Sequence, residues 1–311
     1  MPLTPIALES VAKIGKGLQR PEDVVVSRDG RVWASDQASA CAEILPDGSL
    51  RRVGKAGGAP NGINMDADGN IIIANFFDGP LQKLDVVTGD VTTICSEVEG
   101  VRLTHANYPL VDTRGNIWCT NSTYADPWES ALDGRSDGFL FRVSPDGTGT
   151  ILADGIQFAN GIALDAEERF ICVCQTTGCN VLRYPIHGDG SLGPAELYGP
   201  VLGNRIPAGT TPDQLPPPEI LRTLGLTDGC GFDVEGNLWV TLVTANKIVA
   251  ITPALEVVTI LEDPTGAVVN HPTNISFGGA DMRDLYIGSI AVDYVVRARS
   301  PVAGMPLVHQ R

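Results

Sequence analysis

The chain is poor in the groups that hold a polyanion and has no run that would cross a bilayer. Its 22 Lys and Arg stand against 37 Asp and Glu, a net charge of −15 over 311 residues. A field of that sign repels nucleic acid and anionic lipid and favours solubility, so neither partner is expected. No stretch of about 18 apolar residues occurs, and the opening "MPLTPIALESVAKIGKGLQR" lacks the basic start and apolar run of a signal peptide. A cytoplasmic location with reduced thiols is the expectation. The seven cysteines are an odd number, and Cys172, Cys174 and Cys179 show no paired metal-type spacing. Two residues apart on a strand, Cys172 and Cys174 share a face and read as small buried apolar side chains. No Gly-x-Ser-x-Gly elbow supports a serine nucleophile, and no dinucleotide or phosphate loop is present. Asn121-Ser122-Thr123 matches a glycosylation sequon, which means little in a cytoplasmic chain.

Glycine, at 35 residues, is abundant, and hydrophobic residues make up 43%, a composition suited to many short strands joined by tight turns. The order of those strands is repetitive. Six segments share one register: "PEDVVVSRDGRVWASD" from Pro21, "PNGINMDADGNIIIAN" from Pro60, "ANYPLVDTRGNIWCTN" from Ala106, "ANGIALDAEERFICVC" from Ala159, "TDGCGFDVEGNLWVTL" from Thr227 and "TNISFGGADMRDLYIG" from Thr273. Each has a polar second residue, a short apolar strand, a turn such as Asp68-Gly69 and a second apolar strand, which is the signature of a hairpin. Further strand candidates, among them "CAEIL", "GFLFRVS" and "NKIVAIT", lie between the hairpins.

The polar second positions, Glu22, Asn61, Asn107, Asn160, Asp228 and Asn274, follow one another at intervals of 39, 46, 53, 68 and 46 residues. Four strands every 40 to 50 residues mark a β-propeller blade. An all-β fold is therefore predicted: a single six-bladed propeller over residues 1–311, with four-stranded blades. The last unit has room for about three strands, and "IALESVAKIG" near the N-terminus is a candidate to complete it, closing the ring and covering a sheet edge. The widest interval carries a Pro-rich inter-blade insertion around residues 200–225, a candidate wall or lid for a site.

In a propeller the innermost strand of every blade lines the central channel, so equivalent positions form a ring. The six polar residues offer two carboxylates, four amide oxygens and no thiol. That inventory suits one hard divalent cation, Ca²⁺ first, with Mg²⁺, Mn²⁺ or Zn²⁺ as alternatives. Two crowded carboxylates repel each other, and a divalent ion would relieve the repulsion. His105 and His271 lie two and three residues before Asn107 and Asn274, and each is a candidate acid or base near neutral pH, with a hydrogen-bonded structural role as the alternative. His187 and His309 lie outside the register.

The repeat, together with "PTNISFGGADMRDLYIGS", resembles the family of senescence marker protein 30, gluconolactonase and luciferin-regenerating enzyme, over nearly the whole chain. The resemblance implies a six-bladed propeller that holds one divalent ion and hydrolyses lactones. By position, Glu22, Asn160 and Asp228 match the family's metal ligands. Asn107 matches a residue that contacts metal or substrate, and Asp228 also matches the suggested general base. There are departures. The family's Glu-Gly-Pro opening is here Glu22-Asp23-Val24. Where sugar-lactone members carry an Arg two residues before the Asn, and Asn-Asp-Gly after it, this chain has "THANYPL", with His105 and Tyr108 in the Arg and Asp positions. His105, Tyr108 and Trp128 thus suggest a less polar or aromatic small-molecule substrate, with Asn61, Asn107 and Asn274 completing its polar contacts. The expected activity is metal-dependent hydrolysis of a lactone or other cyclic ester. The alternatives are hydrolysis of a cyclic diketone or organophosphate at the same ion, or a non-catalytic binding propeller.

Overall fold

Four of the six repeats fold around one kind of turn. Asp112 Oδ1 accepts the backbone N–H groups of Arg114 at 2.9 Å and Asn116 at 2.8 Å, while its Oδ2 accepts Trp118 Nε1 at 2.9 Å. Asp233 does the same for Glu235, Asn237 and Trp239, and Asp66 and Asp165 hold their own turns. An Asp that satisfies the turn's amides from its side chain stabilises the reversal. The left-handed position falls on Gly115 and Gly236, with φ of 80° and 79°, but on Glu168 in the fourth repeat, with φ of 55°, where a Cβ makes that conformation costly.

The computed structural model describes residues 3–77 and 79–311. Six four-stranded antiparallel sheets form the blades of a propeller, with a separate two-stranded ribbon, Glu97–Val98 with Val101–Arg102. The inner strands are Val24–Val26, Pro60–Met65, Ala106–Val111, Ala159–Leu164, Thr227–Phe232 and Pro272–Gly278. Their neighbours in the ring pack against one another. The strand candidates between the hairpins become the third strands, among them Cys41–Ile44, Gly138–Val143 and Lys247–Ile251. The sixth blade supplies three strands of its own, and its outermost is Ala12–Ile14, with Lys13 opposite Val296. The ring closes as its sequence predicts.

The core lies between blades. Trp33 of the first packs with Ile63, Ile73 and Leu84 of the second, and Trp239 of the fifth with Phe277 and Ile287 of the sixth. Cys172 and Cys174 are fully buried among apolar side chains.

The inner strands run from an open mouth to a covered end. At the covered end, Met305, Leu307 and Val308 lie against Leu110, Ile162 and Phe232. Gln310 Nε2 donates to Val26 O at 3.0 Å and Phe277 O at 2.8 Å, and His309 Nε2 is 3.1 Å from Val26 O. At the mouth, two insertions rise. One contains the helix Pro127–Asp133, whose first amides Asp126 caps at 3.0 and 3.1 Å. The other is the segment 200–225, anchored by Ile206 and Leu221 on a buried cluster with Leu224, Leu226 and Val243.

Candidate functional site

Five inner strands begin with an irregularity in pairing. The register shifts between Pro60 and Ile63, Ala106 and Pro109, Ala159 and Ile162, Thr227 and Cys230, and Pro272 and Ile275. Two residues fall in each bulge, and bulges re-aim side chains. The first residue of the pair, Asn61, Asn107, Asn160 or Asp228, lines the mouth cavity. The second, Gly62, Tyr108 or Gly229, lies against a small space of about 10 Å³ beneath it. Gly62, Gly161 and Gly229 are needed for close approach: a Cβ on Gly161 would stand 2.6 Å from Asp228 O and from the Gly229 Cα.

This register corrects one expectation. In the sixth blade the first bulge residue is Thr273, and Asn274 is the second, because Pro272 and Ile275 are the paired positions on either side. The extra residue of the Pro272-Thr273-Asn274 run is invisible to an alignment that anchors on asparagine. Asn274 is therefore not a ring residue and does not line the mouth cavity. It forms a lower layer with Asp23, the residue after Glu22, and with Tyr108. Asn274 Nδ2 donates to Asp23 Oδ1 and, at 3.1 Å, to the Tyr108 hydroxyl oxygen. Asp23 also accepts Val24 N at 2.7 Å and Ile63 N at 2.6 Å. Burial pushes its pKa up to about 7 against these hydrogen bonds.

The ring itself comprises Glu22, Asn61, Asn107, Asn160 and Asp228, all buried. Burial raises the pKa of Asp228 well above the usual carboxylate range, and the neighbouring Glu22 charge raises it further. Burial also raises Glu22, opposed by Arg20, whose Nη2 is 2.9 Å from Glu22 Oε2. That ion pair is too poorly aligned to be a hydrogen bond, and Glu22 Oε2 and Asn61 Oδ1 are buried without one. Asn107 spends its Nδ2 on Ser122 Oγ at 2.9 Å and Asn160 on Thr176 Oγ1 at 3.1 Å, which leaves amide oxygens for the ring. Asn61 Nδ2 donates to Asn107 Oδ1 at 3.2 Å.

These donors fit a hard cation. Two carboxylates and neighbouring amide oxygens, some without hydrogen-bond partners, meet without any sulfur. Among the described residues no three His, Cys, Asp or Glu side chains are placed to hold a metal ion, so a cation here would need asparagine oxygens as well.

Above the ring opens a cavity of about 690 Å³. His271 lines it, with Nδ1 at 2.7 Å from Asn270 Oδ1 and its backbone N–H held by Asn246 Oδ1 at 2.9 Å. Burial, and secondarily the Arg222 charge from the insertion, lowers its pKa. Trp128, on the helix, lines it too. His105 is outside the lining: its ring lies 5.1 Å from that of Phe76, a lining residue, and its Nδ1 is 3.1 Å from Thr123 O. Sequence reading missed Arg20, Phe76, Phe77, Phe158 and Thr176, which also line it. Phe76 and Phe77 follow directly on the second-strand end at Asn75, on the edge of the blade where the inner strand begins, and that position was the available signal.

A family model described as SMP-30/Gluconolactonase/LRE-like region matches residues 60–291. The 6-deoxy-6-sulfogluconolactonase of Pseudomonas putida is 26% identical over 54% of this chain and 53% of its own length. Pentonolactonase XacC of Haloferax volcanii is 24% identical over 85% and 82%. Protein STRICTOSIDINE SYNTHASE-LIKE 13 of Arabidopsis thaliana is 28% identical over 65% of this chain but 44% of its own. The chain thus spans about half the length of several curated relatives it matches. Among solved structures, a gluconolactonase from Xanthomonas campestris superposes with a TM-score of 0.71 at 19% identity, over 97% of this chain and 98% of that one.

Proposed function

Because the chain belongs to the SMP-30/gluconolactonase/LRE-like family, we propose that it hydrolyses a lactone or other cyclic ester at the floor of the mouth cavity. The lactonases among its relatives support the reaction class. The observation that carries the reading is the meeting of two buried, mutually repelling carboxylates, Glu22 and Asp228, with amide oxygens at the base of an open cavity. Glu22, Asn160 and Asp228 would hold one divalent cation, with Asn107 beside them, and the all-oxygen donor set favours Ca²⁺. A bound ion there supplies Lewis-acid polarisation of an ester carbonyl.

The chain's own residues do the rest. Asn61 and Asn107 border the place where the carbonyl would sit and orient it. A water attacks the carbonyl carbon and gives its proton to Asp228 or His271. The ring C–O bond then breaks and the leaving oxygen takes that proton back from the same residue, releasing a hydroxy acid. With Nδ1 donating to Asn270 Oδ1, His271 keeps Nε2 as its basic nitrogen, and its lowered pKa keeps that nitrogen unprotonated at neutral pH. His105 is left to hold Phe76 in place. The seven free thiols accord with a reducing compartment such as the cytoplasm.

The test combines elemental analysis with a panel of lactones and esters followed by acid release. Turnover that disappears on chelation and returns with Ca²⁺ is expected. Full activity in stripped protein would remove the cation from the reaction. A bound ion with no turnover across the panel would leave a binding propeller.

A further inference from the structure

Resting on the hydrolase reading above, we propose that the cavity takes a lactone bearing a long alkyl or aryl substituent, and that the two insertions form the seat for that substituent. The cavity is divided by chemistry. The charged and amide groups are on the floor, and above the ring the polar lining among the described residues is Arg20, Thr176, Thr244 and His271. Of these, Arg20 already pairs with Glu22 and Thr176 with Asn160.

The walls are apolar. Phe76 and Phe158 pack with Ala131 of the helix, and the insertion adds Ile206, Leu215 and Leu221. At the mouth Phe77, Trp128, Leu215 and Ile290 remain 45%, 54%, 54% and 37% exposed. Exposed large side chains grouped on the rim of one concavity mark a recognition surface. A volume of about 690 Å³ is in the range of about 300 to 1,000 Å³ that accommodates drug-sized ligands. A small polyhydroxylated lactone would leave most of it as water on hydrocarbon, and a hydroxyl turned to the walls would find only Thr244, whose Oγ1 has no partner, or His271. An acyl ring on the floor with a hydrocarbon tail against the walls satisfies both surfaces.

The experiment measures kcat/KM on a series of γ-alkyl lactones of increasing chain length beside a sugar lactone. In parallel it measures binding of the matching alkyl lactams, which resist hydrolysis, by Trp fluorescence and calorimetry. Trp33, Trp118 and Trp239 are buried, so a fluorescence change reports on Trp128. Each added methylene is expected to raise both kcat/KM and lactam affinity about fourfold until the cavity is full. Trp128→Ala and Leu215→Ser should each flatten that dependence through KM. A sugar lactone turned over with the higher kcat/KM, or no chain-length dependence in either measurement, overturns the proposal while the hydrolase reading stands. Lactam affinity that rises with chain length, with no lactone hydrolysed, sinks the hydrolase reading and keeps the apolar seat.

Discussion

Asn274 and Asp23, 251 positions apart in the chain, are hydrogen-bonded directly beneath the ring, Nδ2 of the one donating to Oδ1 of the other. The contact crosses the seam where the sixth blade meets the first. Both Asp23 oxygens face donors only: Asn274 and Val24 N on Oδ1, Ile63 N on Oδ2.

Asp23→Asn, although isosteric, would turn an amide N–H₂ toward one of those donors. The expected cost is about 1–3 kcal/mol, seen as a melting temperature lower by a few degrees. An unchanged melting temperature would show that the site accommodates a neutral side chain without leaving a donor unpaired.

Asp228→Asn separates stability from catalysis. Its raised pKa means that the charged form costs folding energy at neutral pH, a cost present above the ordinary carboxylate range and absent below it. Without cation, the variant should therefore melt above the wild type at pH 7 and lose that advantage near pH 4. Turnover should fall by about 10²-fold or more. Wild type should gain stability on addition of Ca²⁺, by about 2.7 kcal/mol at a hundred times Kd, and the variant should gain little.

Arg20 competes for Glu22, since its guanidinium is 2.9 Å from Oε2. Arg20→Gln should bind Ca²⁺ about three- to tenfold more tightly by calorimetry, with a difference that shrinks as salt rises.

Gly161→Ala would place a Cβ 2.6 Å from Asp228 O. Because backbone, not a flexible side chain, must yield, the expected cost is about 1–3 kcal/mol. Asp228 would move with its strand, so activity and melting temperature should fall together.

His309 is buried at the covered end and its pKa is pushed down to about 4, chiefly by desolvation. Its contribution is full above about pH 6.5 and is lost as pH falls toward 4, on the order of 3 kcal/mol. In His309→Gln, which cannot titrate, that part of the acid dependence should disappear from denaturation curves.

The sequence alone settled the blade count and the identity of the hairpins, because a turn with a Gly eight residues after the polar second position, as in four of the six repeats, is a local signal. It also placed Glu22, Asn61, Asn107, Asn160 and Asp228 at equivalent positions, and from the shortage in the last unit it pointed to the stretch 6–15, within which the closing strand Ala12–Ile14 lies. What it could not decide depends on how strands meet. The bulge that sends Asn274 below the ring is a property of pairing with Asp284–Ser289, and asparagine looks the same in either register. His105 lies two residues before Asn107 in sequence yet turns against Phe76, since it precedes the inner strand and its bulge. The apolar walls come from Phe76, Phe158, the helix and the 200–225 segment. These are distant stretches with no shared periodicity, and only the closed ring makes them face one cavity.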